Sequence, residues 1–490
     1  MQNLLLYVYT SLPFVVVALL CVAAIVAAGI GMVRPRWLAY AYMLVFFLKN
    51  STNYGSLATM GSPGIYTRGS GVLLFPVLFW MMFGFWACAR VSASFQRQPT
   101  PPCNLRPWFL AWFLLLGAHI AVGLFSGVKL ADILGVSGFS NIIWMAPLVS
   151  LLVLSFRTRE DAIELSRFIM LVGLGRAMFG LVRWAFLKGD PNNVYANMNG
   201  LNIKLTFFDI NDSLLCTIAF AIAAVNLFQV VKTDRSFFWR LVEWATLGAT
   251  AACVVLSYRR TAWIGFVLAG LIIMMRFPMQ RRIQLMVLGT PVVGAGLLYA
   301  AFKRLGQTKG AGQGLSSLVF DMQSKKFGAE SERVLELKFA LADFLSHPLT
   351  GIGTWGRYTG YQHISWQANP EGGLFIHSGV LHIGLKAGLP GLVLLIGTIW
   401  TFMMFARRAL RTAPPELLGL ATAGAAGLAF MLPDLLVGTP FPQVRTTQML
   451  AICLALPYVA MAVCREQSAV QTAKENKRGH VNLVPTRVAV

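Results

Sequence analysis

The sequence predicts an all-α polytopic membrane protein of about 12–13 transmembrane helices, with a large helical loop on the non-cytoplasmic side. Three observations lead there. Hydrophobic residues make up 57% of the 490 residues and charged ones only 12%, and the mean hydropathy is +0.65. The apolar residues are gathered in about thirteen runs, most of them near the roughly 17 to 25 residues that cross a bilayer as helix. Lys and Arg recur in every second loop, as the positive-inside rule requires. In hydrocarbon each backbone group needs a partner, which makes these runs helices; they are too long and too uniformly apolar for barrel strands.

Taken in order, the first run, Leu4 to Val33, has no basic leading region and no small-residue cleavage site, so it is expected to stay as a span. Two segments, near Trp37 to Leu48 and Ile142 to Phe156, are short for a crossing. The basic loops carry Arg34 and Arg36; Arg90, Arg97 and Arg106; Arg157 and Arg159; Lys232, Arg235 and Arg240; Arg276, Arg281 and Arg282; and Arg407, Arg408 and Arg411. These are cytoplasmic. The intervening loops are then outside: Asn50 to Ser70, Val128 to Asn141, Lys188 to Asp212, the Tyr258–Arg260 corner, Lys303 to Ile376, and Val437 to Thr447. The chain divides accordingly into a first helical bundle (1–302), an outer loop (303–376), remaining spans that open with a broken helix (377–464), and a cytoplasmic tail (465–490). The outer loop holds a helical stretch, Ser331 to Ser346, then an aromatic segment punctuated by Gly and Pro. The tail from Arg465 is polar and aperiodic and is expected to be disordered. No repeat of 20 to 50 residues is visible, which weighs against an inverted-repeat transporter.

The net charge of +22 would point a soluble protein toward nucleic acid. Here it is accounted for by cytoplasmic loops beside anionic lipid, and no nucleic-acid partner is expected. None of the seven cysteines falls in an outer loop, and no pair has zinc-ligand spacing.

Among the histidines, His377 stands out by context. It follows an aromatic approach, Trp366 to Ile376, and opens a helical segment at the outer boundary. Gly384, Gly388 and Gly391 return to its face of a continuous helix and would leave a groove without side chains below it. Pro390 is expected to break that helix into a short outer piece and a true span. The same spacing also fits an interfacial histidine on a Gly-rich packing helix.

The second feature is cation inside the membrane. Arg176 and Arg183 share a face of the span near Asp161 to Leu187, and Arg259 and Arg260 sit at an outer corner. An Arg near mid-bilayer costs roughly 2.5–3.5 kcal/mol on insertion scales. Asp434 and Glu164 are the few internal carboxylates in view, so an apparent surplus of cation points to an anionic ligand. A diphosphate at the membrane boundary suits it, because Arg binds phosphate oxygens bidentately. Snorkelling is the alternative for Arg183.

Other patterns lead nowhere. Gly351, Gly353 and Gly356 have dinucleotide-fingerprint spacing but lie in an outer loop without a βαβ context. There is no phosphate-binding P-loop. The loop from Asn50 to Ser70 contains no Asp or Glu, so neither a divalent metal nor another cofactor is expected.

The chain resembles the O-antigen ligase and O-antigen polymerase superfamily of bacterial membrane proteins. That family's signature is a His followed by Asn, Ser or Gln, nine residues, a Gly, two residues, and a Gly, Thr or Tyr; His377, Ser378, Gly388 and Gly391 match it. Upstream, Arg333, Leu337, Ala340, Leu341 and Phe344 follow the family's Arg and amphipathic helix, and His347, Pro348, Leu349, Gly351 and Gly353 its turn. Tyr258 to Trp263 resembles its Arg-containing corner, and Asn211 its outer-loop Asn. The likeness is strongest over about residues 200–400.

The resemblance implies a GT-C-like fold in the bacterial inner membrane, with the active site facing the periplasm. It implies transfer of a glycan from an undecaprenyl-diphosphate carrier to an acceptor hydroxyl, on a growing glycan or on lipid A core. His377 would be the base; Arg260 or its neighbour Arg259, with Arg333 and Arg183, would hold the diphosphate, and one-step attack would invert the anomeric carbon. Trp355, Trp366 and Asn211 are candidate sugar contacts. His347 is expected to cap helix carbonyls. A flippase of lipid-linked glycan is the alternative, with Arg167, Arg176 and Arg183 as its path. The topology is testable: Lys325→Cys in a cysteine-free background should be labelled by an impermeant thiol reagent from the periplasm. Labelling from the cytoplasm alone would invert the arrangement.

Overall fold

The computed structural model describes residues 22–49, 74–96, 103–135, 138–193, 203–229, 236–307, 329–368 and 372–481. The loop from Asn50 to Ser70, most of the first apolar run, the stretch 308–328 and the last residues of the tail lie outside these. The described residues form helices α1 (Val22–Val33), α2 (Pro35–Leu48), α3 (Val77–Phe95), α4 (Arg106–Phe125), α5 (Leu130–Ile133), α6 (Phe139–Ile143), α7 (Met145–Ser155), α8 (Arg159–Phe186), α9 (Ile210–Phe228), α10 (Phe237–Val255), α11 (Arg260–Met275), α12 (Met279–Gln307), α13 (Ala329–Ser346), α14 (Gly379–Thr412), α15 (Leu418–Val437) and α16 (Val444–Val481). The fold is that of an all-α polytopic membrane protein.

Among the described residues seven helices are long and apolar enough to cross a bilayer, or eight if the bent α12 is one span. α1, α2, the α6–α7 pair and α11 are apolar but shorter. Among the described residues this is fewer than the twelve to thirteen crossings expected. α12 bends by 41° after Val287, next to Pro291, which has no N–H to give the carbonyl of Val287.

α9 and α15 form the centre and are almost wholly buried, as is the first part of α16. Small residues make this possible, since lipid supplies no hydrophobic drive and close packing must serve. A side chain at Gly265 of α11 would run into the carbonyl of Phe430 on α15, and one at Gly424 into that of Cys453 on α16. α4 and α14 lie outermost. At the basic end Thr158 caps α8 in a reciprocal box with Asp161. Arg36 pairs there with Asp161 and Glu164, so Glu164 is not a partner for the arginines deeper in α8.

Three expectations need correction. α12 runs to Gln307, so the outer loop does not begin at Lys303. The tail is helical to Val481, as a continuation of α16; its Ala, Glu, Gln and Lys are strong helix formers, and a helix polar all round needs no buried face once a span has nucleated it. The glycines after His377 do not make an open groove. α14 is broken at Gly388 (φ 64°, ψ −159°), so helical phase is lost before Gly391, and each glycine is filled by a neighbour: Leu392 and Phe344 at Gly384, Pro348 and Leu349 at Gly388, Ile383 at Gly391.

The break is held by the outer loop. Ile352 N donates to Leu385 O (2.8 Å) and Leu389 N to Pro348 O (2.7 Å), which satisfies backbone groups that the kink frees. The fully buried Lys386 donates to Gly356 O. The backbone of Gly388 is one that glycine alone adopts at no cost, worth about 1–3 kcal/mol to any other residue, and a Cβ there would stand 2.5 Å from Leu349 O. Gly388→Ala should therefore lower the thermal midpoint of the detergent-purified protein markedly. Gly384→Ala, whose Cβ would meet only side chains at 3.3 Å or more, should change it little.

Candidate functional site

The break and its clasp set the start of α14. Ser378 is the N-cap, its Oγ accepting from Leu381 N (3.3 Å), and His377 is the residue before it rather than part of the helix. Gly379 fits against Leu435 O and Pro440 at the outer end of α15, which brings His377 to the mouth of the bundle. Across from it, α13 presents Glu336, fully buried. One carboxylate oxygen of Glu336 accepts both the backbone N–H of His377 (3.0 Å) and a bond from its Nδ1 (2.9 Å). The other accepts from Gln367 Nε2 (2.6 Å). Gln367 is itself fixed by Phe375 O and Gly373 N, each at 2.7 Å. The imidazole is about one-fifth exposed, with Trp366 and Phe375 edge-on at 5.6 and 5.8 Å between ring centres. In a neutral ring, a carboxylate at Nδ1 favours the tautomer that has its proton there and its lone pair on Nε2. Tyr358 lies beside this pair, and burial first, then the charge of Glu336, raises its phenol pKa, so it stays protonated.

The arginine corner faces the same mouth. Tyr258 takes a left-handed backbone (φ 54°), an uncommon conformation for a bulky residue, and turns the chain from α10 into α11. Arg259 is spent inside the protein: it donates to Phe208 O, lies over the Phe208 ring (5.0 Å) and stands 4.0 Å from Asp434. Arg260 is the first residue of α11 and half-buried, beside N–H groups that favour an anion. Asp434 of α15 is within electrostatic reach of Arg259, Asp209 and His377, so corner and histidine share one region. Arg333 lies on α13 three residues before Glu336 and is half-buried.

Beneath the mouth lies a set of charges unforeseen from sequence. Arg445, with no exposed side chain, donates to Asp209 (2.8 Å), Asp212 (2.8 Å), Phe46 O (2.7 Å) and Phe47 O (3.2 Å). Arg176 takes Asp212 with two nitrogens (3.0 and 3.3 Å). Arg183 is buried, pairs with Asp190 at 3.2 Å and donates to Thr206 O. Burial raises the pKa of the Asp190 carboxyl, and Arg183 opposes that. The surplus of intramembrane cation expected from sequence is thus met by Asp190, Asp209, Asp212 and Asp434. Arg183 does not reach an external diphosphate. Asn211 is likewise removed as a sugar contact, because it is fully buried and its amide donates to Asp209 (2.7 Å) and Thr446 (3.0 Å).

The remaining expected residues separate. Trp366 stands beside His377, whereas Trp355 packs toward His119 of α4 (6.2 Å). His347 Nδ1 lies 3.3 Å from Asp343 O at the end of α13, a capping contact. His382 is buried in α14. Glu336, Gln367 and Arg445 were missed. Glu336 gave one signal, its place one helical turn after Arg333. Arg445 looked like an outer-loop charge because its partners are more than two hundred residues away.

These features define a class: a helical membrane protein in which one mouth of the bundle carries a carboxylate-bound histidine and an arginine corner over a paired charge network. A sequence model of the O-antigen ligase family matches residues 245–396, from within α10 to the middle of α14. The stretch contains Arg259, Arg260, Arg333, Glu336 and His377. Over these residues the chain is similar to the O-antigen ligase family. No curated protein matches it. Removing one member of a buried ion network leaves the others uncompensated, at about 3–5 kcal/mol. Arg445→Gln should therefore reduce the yield of folded protein and its thermal midpoint far more than Arg260→Gln, measured by fluorescence-detected gel filtration over a temperature series.

Proposed function

We propose that this protein transfers a glycan from an undecaprenyl-diphosphate carrier to an acceptor hydroxyl at the periplasmic face of the bacterial inner membrane, with His377 as general base. The similarity to the O-antigen ligase family over residues 245–396 supports ligase- or polymerase-type activity in general. The observation that carries the finer reading is the His377–Glu336 pair, an imidazole about one-fifth exposed and fixed at Nδ1 by a fully buried carboxylate; Nε2 is the nitrogen assigned to substrate.

In this reading the acceptor O–H gives its proton to Nε2 as its oxygen attacks the anomeric carbon. The bond from that carbon to the carrier diphosphate breaks, and the electron pair leaves with the diphosphate. A positioned base supplies roughly 10²–10⁴-fold. Glu336 orients the ring and stabilises the imidazolium that forms. Arg260, with the N–H groups of α11, and Arg333 hold the diphosphate; Arg259 acts through Asp434. Displacement in one step inverts the anomeric carbon. No metal is invoked, since the aspartates at the mouth each face an arginine. Trp366 offers a face for a sugar. A flippase would need a path of cations through the bundle, and Arg176 and Arg183 are instead committed to Asp212 and Asp190.

The test is transfer from a synthetic undecaprenyl-diphosphate oligosaccharide by reconstituted protein, with donor binding measured separately. His377→Ala should abolish turnover and leave donor binding and folding intact. Glu336→Gln, which can offer an N–H where Nδ1–H needs an acceptor, should lower turnover by about 10²–10⁴-fold while binding persists. Arg260→Lys should weaken donor binding, because a point charge does not replace a bidentate fork. Near-normal turnover in His377→Ala would remove His377 as the base. A deletion strain then separates the two acceptors: free polymer identifies a ligase, single unattached repeats a polymerase.

A further inference from the structure

The outer loop turns an unexpected side to its surroundings. On α13, Glu336 and Ala340 face the protein and are fully buried, while Val334, Lys338, Leu341, Ala342 and Leu345 are exposed. Offsets of four, seven, eight and eleven residues from Val334 keep these five on one side of the helix. Three are large apolar side chains at 56%, 46% and 66% exposure, and Leu349, just past the helix, is at 69%. Water would penalise such a stripe, and soluble surfaces seldom keep one.

What covers it is indicated by where it leads. Phe344 of α13 packs at Gly384 of α14, and Pro348 and Leu349 are seated on the kink at Gly388 and Leu389. Leu349 is therefore adjacent to Leu389, and from there Val393, Ile396 and Trp400 descend α14 as an exposed apolar ridge. That ridge faces lipid, because α14 is a span. The stripe on α13 continues the lipid-facing surface without a break. Its one charged member, Lys338, has a stem long enough to place an ammonium among phosphates while its methylenes stay in the apolar layer.

We infer that the exposed face of α13 lies in the outer-leaflet interface, so that this helix is a membrane-surface element and the lipid surface is its partner. One side of α13 then rests on lipid while the other grips His377 through Glu336. The height of the histidine above the membrane is set by lipid contact, at the level where a lipid-borne diphosphate resides. The inference rests on α14 being a span with its Gly379 end outside. The position of α13 is independent of the chemistry at His377, although the consequence for a diphosphate donor follows from the proposed function.

The test uses the full chain in a cysteine-free background, carrying Leu341→Cys, Leu345→Cys or Gln362→Cys labelled with bimane. Each is reconstituted in vesicles of phosphatidylethanolamine and phosphatidylglycerol. Gln362, exposed in the turn Tyr361–His363 on the side of α13 away from the stripe, is the aqueous reference. Positions 341 and 345 should lose fluorescence to a nitroxide carried near the lipid headgroup and keep it in iodide, with the order reversed at 362. Iodide quenching at 341 and 345 equal to that at 362 would overturn the inference, leaving the stripe in water. Protection from both quenchers would also overturn it, and would mean a second copy or another segment covers the face. All three side chains are exposed, so the label displaces no packing, and Val334→Cys reads the same face if one variant is lost. Quenching reports position whether or not the protein turns over, so it stands or falls separately from the role of His377.

Discussion

Arg445 is the fixed point of the outer half of this molecule. Its guanidinium, entirely inside the protein, reaches Asp209 and Asp212 at the start of α9 and the last carbonyls of α2. Arg176 of α8 closes the same carboxylate from the other side. A charge in this environment is tolerated only when its partners are complete, so four helices must meet at one height and in one register. A cation near the beginning of α16 is also opposed by that helix's dipole, which makes the aspartates obligatory. Hydrophobic contact in lipid does not discriminate between sliding positions of two apolar helices. A buried ion network does.

The candidate site stands on that platform. Asp209 of the network and Asp434 of α15 are within electrostatic reach of each other, and Asp434 in turn faces Arg259 and His377. The charges at the mouth therefore belong to one connected arrangement, in which most of the arginines are internally neutralised. This revises the inference that intramembrane arginine marks a ligand. In this chain Arg176, Arg183 and Arg445 mark structure, each paired with an aspartate.

The second constraint is the break in α14. The kink at Gly388 lets Pro348, Leu349 and Ile352 replace lost backbone partners, and this ties the outer loop to the bundle. α13 is held against α14 by the same clasp, with Glu336 on its inner side and the leucine stripe on its outer side. The glycines that sequence periodicity read as an open groove are contact points. They are small because other chain segments lie against them, and the motif spacing records that packing.

The sequence by itself determined what depends on composition and local pattern. Apolar run length pointed to helices and a membrane. The motif around His377, Ser378, Gly388 and Gly391 picked out the histidine, and Gly388 with Pro390 the broken helix. These are properties of contiguous residues, where backbone chemistry acts within a few positions. Only the tertiary structure decided which charges meet. Glu336 is 41 residues from His377, and Asp209 and Asp212 are 236 and 233 residues from Arg445. Pairing at such separations is fixed by how helices pack, and no local spacing encodes it. For the same reason the sequence could not tell that Arg183 and Asn211 are held inside the protein by Asp190, Asp209 and Thr446.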